Sequence, residues 1–186
     1  MSDAAGSDAA HPPHLERTLA PSPFPGDDGL ADPAARRAMA AAVRDPGPTT
    51  YLRAVAVLCT TRVLVPVVAT ATRVGTTADG LTGDKEADMS VVMLEAGDGR
   101  RALLGFTGLD ALKAWRPDAR PVPVTLDLAA KTARAEGVDT VLVDVAGPHP
   151  LAVDGEVLDA LALGHRLVEL EPGEFGWAVT VADPSA

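Results

Sequence analysis

A chain of 186 residues, 47% hydrophobic and 23% charged, is long enough to bury one core of ordinary domain size and too apolar to remain unfolded throughout. Aromatic residues make up 3% and the formal charge is −10, which disfavours stacking on single-stranded nucleic acid and docking on any polyanion. The one cysteine, Cys59, excludes an intrachain disulfide framework and a multi-cysteine zinc site and suits a reducing compartment.

Residues 1–29 are rich in Pro, Ala, Ser and Asp and are expected to form a disordered tail, because they cannot bury enough apolar surface to offset ordering. Acids precede any base there and no apolar run follows, so no signal peptide is read. The most apolar stretch, Ala54 to Ala69, is interrupted by Arg62 and Pro66 and is too short to span a bilayer. A cytoplasmic protein without membrane contact is expected.

At Asp32-Pro33 the pattern turns helical: an N-cap acid, a proline suited to the first turn, then AARRAMAAAVR. Asp45-Pro46-Gly47-Pro48 breaks that helix, and TTYLRAVAVLCTTR predicts a second. RVLVPVVATA, from Arg62, reads as a strand that Pro66 should confine to an edge or a bulge. A polar loop over 72–88 leads to MSVVMLEAGDGRRALLGFT, two apolar runs about Gly97-Asp98-Gly99, the clearest hairpin signal in the chain. Thr107, with Asp110 three residues on, predicts a capped helix through GLDALKAW that Pro117 stops. PVPVTL then reads as strand, DLAAKTARAEG as helix capped by Asp127 and ended by Gly137, TVLVDVAG as strand and DGEVLDALALG as helix. LVEL and FGWAVTV are candidate edge strands.

These elements predict an α/β fold, with α+β as the variant: a mixed sheet containing a hairpin, flanked by helices and preceded by a two-helix segment. The expected organisation is a tail over 1–29, a single domain over 30–171 and a C-terminal extension over 172–186.

Three stretches, GLTGDKEADMSVVML, RRALLGFTGLDALKAWRPDARPVPV and VLVDVAGPHPLAV, stand in that order. Together they resemble the N-terminal domain of the SseB family, the enhanced serine sensitivity group, in its actinobacterial form. The resemblance rests on the joint order of Asp84-Lys85-Glu86-Ala87-Asp88-Met89, Phe106-Thr107 and Ala114-Trp115-Arg116-Pro117, and departs from the family pattern at Gly108 and at Asp144-Val145-Ala146-Gly147-Pro148. It implies an α/β domain of this element order, with no established reaction and no catalytic residue set.

Two clusters are candidate binding residues. Asp84, Lys85, Glu86 and Asp88 form a charged knot before a strand, able to meet a charged partner but lacking the alternating ligands and central glycine of an EF-hand. Trp115 and Arg116 join a large apolar face to a guanidinium, although a core plug is the plainer reading of such a tryptophan. His11, His14, His149 and His165 have no zinc spacing, and neither GxGxxG nor GxxxxGK[ST] occurs, so no catalytic set, metal or cofactor is read. Cys59 lies on an apolar helical face and reads as core.

Charge is segregated: residues 30–73 hold six arginines against two acids, whereas 74–186 hold nine bases against nineteen acids. The basic helices, Arg37 and Arg44 among them, should meet an acidic surface of this chain or of a partner. The leading reading is therefore a non-enzymatic interaction or regulatory module with an unidentified protein partner. The alternative is a domain for a small molecule, an anionic metabolite, or an enzyme, with its site at the C-terminal strand edge near Thr107, Asp144 and His149. A third reading is self-association through the candidate edge strands.

Overall fold

Helix α1 (Pro33–Arg44) starts where the Asp32 carboxylate accepts the N–H groups of Ala34 at 2.6 Å and Ala35 at 3.2 Å, with Pro33 in the first turn where its missing donor costs nothing. The computed structural model describes residues 24–70 and 88–179. Helix α2 (Pro48–Leu58) follows the Asp45-Pro46-Gly47 break and packs on α1. The pair turns Ala35, Met39, Ala54, Val55 and Leu58 into the core.

Strand β1 (Arg62–Thr70) is flanked by β2 (Asp88–Val91) and β5 (Arg120–Thr125), both antiparallel to it. A second sheet runs in the order β3 (Met93–Glu95), β4 (Arg101–Gly105), β6 (Thr140–Val143), β7 (Leu151–Asp154). Only the β4–β6 pair of it is parallel, and the crossover between them contains α3 (Leu109–Trp115), β5 and α4 (Leu126–Ala135). Leu64 and Phe106 exchange both backbone bonds, at 2.8 and 2.9 Å, and so join the two sheets. After β7 come α5 (Gly155–Ala162) and a hairpin of β8 (His165–Glu171) and β9 (Glu174–Val179).

Pro66 does not mark an edge; β1 is the central strand of its sheet. Leu64 bonds Phe106 on the side away from β5, and Pro66 shares its parity, so the missing donor points to the side where β2 gives way to β3. There the Pro66 carbonyl accepts the Val92 N–H at 3.1 Å, and the ladder continues without a donor from Pro66. The same parity turns the nitrogens of Pro121 and Pro123, opposite Pro66 and Leu64, toward the outer edge of β5, which therefore lacks those two donors.

Other local expectations also shift. LVEL and FGWAVTV pair with each other as β8 and β9 rather than extending the main sheet. Strand β7 takes Leu151 to Val153, which no predicted element covered, and Asp154, predicted to open the following helix. α4 begins at Leu126, one residue before Asp127, with no side-chain cap. It ends as expected before Gly137, whose φ of +67° suits a residue without a Cβ.

Successive residues of β1 serve two cores, since side chains alternate across a strand. Val63 and Val65 join the larger one, with α1, α2, α4 and α5, whereas Leu64 joins Leu104, Phe106, Ala111 and Leu112 beneath α3. Helices thus cover both faces of the joined sheets. Where α1 on one face and α3 on the other pass the C-terminal ends of β4 and β6, they leave a cavity.

Candidate functional site

The chain after β4 sets one wall of that cavity. Phe106, fully buried, packs against Trp115 with ring centroids 5.5 Å apart, and Thr107 follows, 2% exposed. Gly108 comes next and is required by proximity: a Cβ there would lie 2.8 Å from the Ala31 backbone nitrogen and 2.8 Å from an Asp110 carboxylate oxygen. It is the N-cap of α3 and makes no side-chain cap bond. The sequence predicted Thr107 as the capping residue, but its hydroxyl is engaged elsewhere.

Asp144, just past β6 and 5% exposed, takes both polar groups of Thr107: the N–H donates to Oδ1 at 2.8 Å and the hydroxyl to Oδ2 at 2.6 Å. Arg36, from α1, donates its Nε–H to the same hydroxyl oxygen at 3.2 Å. That bond turns the hydroxyl proton toward Asp144, which leaves the carboxylate an acceptor at both oxygens. The Asp144 backbone has φ of +53°, a left-handed conformation that aspartate tolerates better than most residues, and Gly147 N–H closes the turn onto its carbonyl at 2.8 Å. Burial pushes the Asp144 carboxyl up from its ordinary value, opposed by the two Thr107 bonds and by the Arg36 charge.

The Arg36 guanidinium also grips Asp110 of α3 in a two-point pair, at 2.6 and 2.5 Å. These bonds hold the Asp110 carboxyl below the usual carboxylate range and raise Arg36. Beneath the wall lies Arg62, 9% exposed, which donates to the Thr107 carbonyl, to the Leu30 carbonyl at 2.8 Å and to both oxygens of Asp27 at 2.9 Å. One polar network therefore runs from Asp27 through Arg62 and Thr107 to Asp144, Arg36 and Asp110.

The cavity holds about 200 Å³. Met39, Ala111, Ala114, Ala146 and Pro148 give it apolar walls, while Arg36, Asp110, Asp144 and His149 supply the charged and titratable groups. His149 Nδ1 is shut off from solvent and has no hydrogen-bond partner. Among the described residues no serine or cysteine lines the space, and the nearby Thr107 hydroxyl is already committed as donor and acceptor. The arrangement can therefore bind and orient a small molecule and exchange a proton through Asp144, and the described lining residues offer no free hydroxyl or thiol.

Of the residues singled out in the sequence, Asp84, Lys85 and Glu86 lie outside the described residues, and Asp88 opens β2 opposite Thr70. Trp115 and Arg116 are brought together, the guanidinium 4.7 Å from the ring centroid, but neither lines the cavity. Thr107, Asp144 and His149 do converge on one place. Sequence reasoning missed Arg36 and Asp110 as partners. Asp110 stood out only as a helix-start acid, and nothing local reveals a pairing across 74 positions. Cys59 is buried, which pushes its thiol up to about 11. Among the described residues no group of three His, Cys, Asp or Glu could hold a metal ion, and no helix is long and apolar enough to cross a membrane.

The family model of the SseB protein N-terminal domain matches residues 36–160. That span holds every residue lining the cavity and leaves out the β8–β9 hairpin. No curated protein and no solved structure matches the chain.

Proposed function

The chain belongs to the SseB family, and we propose that its domain binds a small molecule in the cavity at the C-terminal ends of β4 and β6. The observation that carries this reading is a buried carboxylate, Asp144, kept at the wall of a cavity by a threonine and an arginine that approach from two other elements. Binding sites collect polar groups and perturbed carboxylates on apolar walls, at this end of α/β sheets. A left-handed aspartate at the same place adds local strain of the kind that functional sites retain.

The size fits a compact ligand. A cavity of about 150 Å³ accommodates benzene, so the 200 Å³ here suits a molecule of similar bulk with one or two polar groups. A protein contact through Asp84, Lys85, Glu86 and Asp88 in the cytoplasm is a separate proposal involving none of the cavity residues.

Thermal-shift screening of small metabolites against the wild-type chain and Ala114→Phe tests the reading. Ala114 is exposed on α3 at the cavity and makes no bond of the polar network, so phenylalanine there is the substitution chosen to fill the space. Compounds that raise the wild-type melting temperature and leave Ala114→Phe unmoved are expected. Equal responses from both chains across the screen would overturn it.

A further inference from the structure

We propose that the ligand of this cavity carries a small cationic amine on a short apolar body, an inference that rests on the small-molecule reading above. The sequence alternative favoured an anionic metabolite, but the charges that meet at the cavity point the other way.

Two carboxylates, Asp110 and Asp144, line the space against a single guanidinium, so the wall carries a net negative charge. Arg36 is the only lysine or arginine among the described lining residues, and its charge is already engaged, two-pronged, by Asp110, with Nε–H on Thr107. An incoming carboxylate or phosphate would either compete with Asp110 for that charge or take the two remaining Arg36 N–H groups, and in both cases it would lie near the Asp110 and Asp144 charges. Each Asp144 oxygen, by contrast, accepts one bond from Thr107 and keeps a second lone pair for a donor.

The remaining lining residues fit the same ligand. His149 Nδ1 has no partner, and in the neutral tautomer protonated at Nε2 it is an acceptor for an N–H group that reaches it. Met39, Ala111, Ala114, Ala146 and Pro148 would receive the apolar part. A chain carrying −10 also attracts cations and repels anions at longer range.

Three probes of one size separate the charge question from the cavity question: n-butylammonium, butyrate and n-butanol, each titrated into the full chain while the backbone amides of Ala111, Ala146 and Gly147 are followed by NMR. Butylammonium is expected to shift these signals saturably. Its affinity should fall about tenfold or more in Asp144→Asn, the scale of one charge-assisted hydrogen bond. Since Asp144→Asn also disturbs the Thr107 contacts, Ala114→Phe serves as the folded control and should abolish saturation. Binding of butyrate, or of butanol as tightly as butylammonium, overturns the amine assignment and leaves the cavity reading intact. If none of the three saturates at these amides, the cavity reading falls together with the assignment.

Discussion

Thr107 bonds in four directions at once. Its N–H and hydroxyl serve Asp144, its hydroxyl oxygen receives Arg36, and its carbonyl receives Arg62. Replacing it with valine keeps the shape but leaves Asp144 Oδ2 and Arg36 Nε short of a partner. Thr107→Val should therefore cost about 1–3 kcal/mol in urea unfolding, the usual penalty for orphaned buried polar groups, while Thr107→Ser retains most of the stability. Wild-type stability in Thr107→Val would show that the hydroxyl bonds contribute nothing. A larger loss is expected at Arg62, which is buried against Asp27 and two carbonyls. Arg62→Met should destabilise by about 3 kcal/mol, because removing one member of a buried pair strands the other. At this scale the sequence was legible in part. Thr107, Asp144 and His149 stood out through their place at strand ends, whereas Arg36 and Arg62 looked like any helix or strand arginine. Their roles come from long-range pairings that no local pattern encodes.

Elements followed their local signals closely where Asp32, Pro33, Gly99 and Gly137 decided the matter. Asp32 and Pro33 begin α1, Gly99 turns the β3–β4 hairpin at φ +84°, and Gly137 ends α4. Asp32→Ala removes two N-cap bonds and should lower stability by about 1 kcal/mol in thermal unfolding. Expectations diverged where tertiary contacts outweighed propensity: Pro66 lies in a central strand because its lost donor meets a change of partner, and the predicted capping pair Thr107 and Asp110 is diverted to Asp144 and Arg36. The β8–β9 hairpin is clamped to α2 by the Arg53–Glu169 pair, assisted by the Gly173 N–H at 2.8 Å. The Arg53 bonds, foremost, hold the Glu169 carboxyl down from 4.5 to about 2. Its folded value lies below its unfolded one, so its contribution is fully present above 4.5 and is lost as pH falls through about 2. Across that window Glu169→Gln should lose stability less steeply than the wild type in urea titrations at stepped pH; parallel slopes would remove the clamp from the explanation.

Over the whole molecule, charge segregation has an internal cause. Arg36, Arg53 and Arg62 of the basic segment pair with Asp110, Glu169 and Asp27, so the helices and β1 are held to acidic partners of the same chain. Arg37 and Arg44 form no ion pair among the described residues. The α/β class was legible from the alternation of periods after residue 88, while the joining of two sheets through Leu64 and Phe106 was not, because a single bridge leaves no periodic trace. The cavity depends on that joint, on the passage of α1 past α3 and on the parallel β4–β6 pair, none of which is a local property. Its occupation is best tested in crystals of the full chain soaked with n-butylammonium. Difference density between Met39, Ala111 and Asp144, missing from Ala114→Phe crystals treated alike, is the result expected; density confined to other surfaces, with this cavity empty at full soak, would contradict a binding role for it.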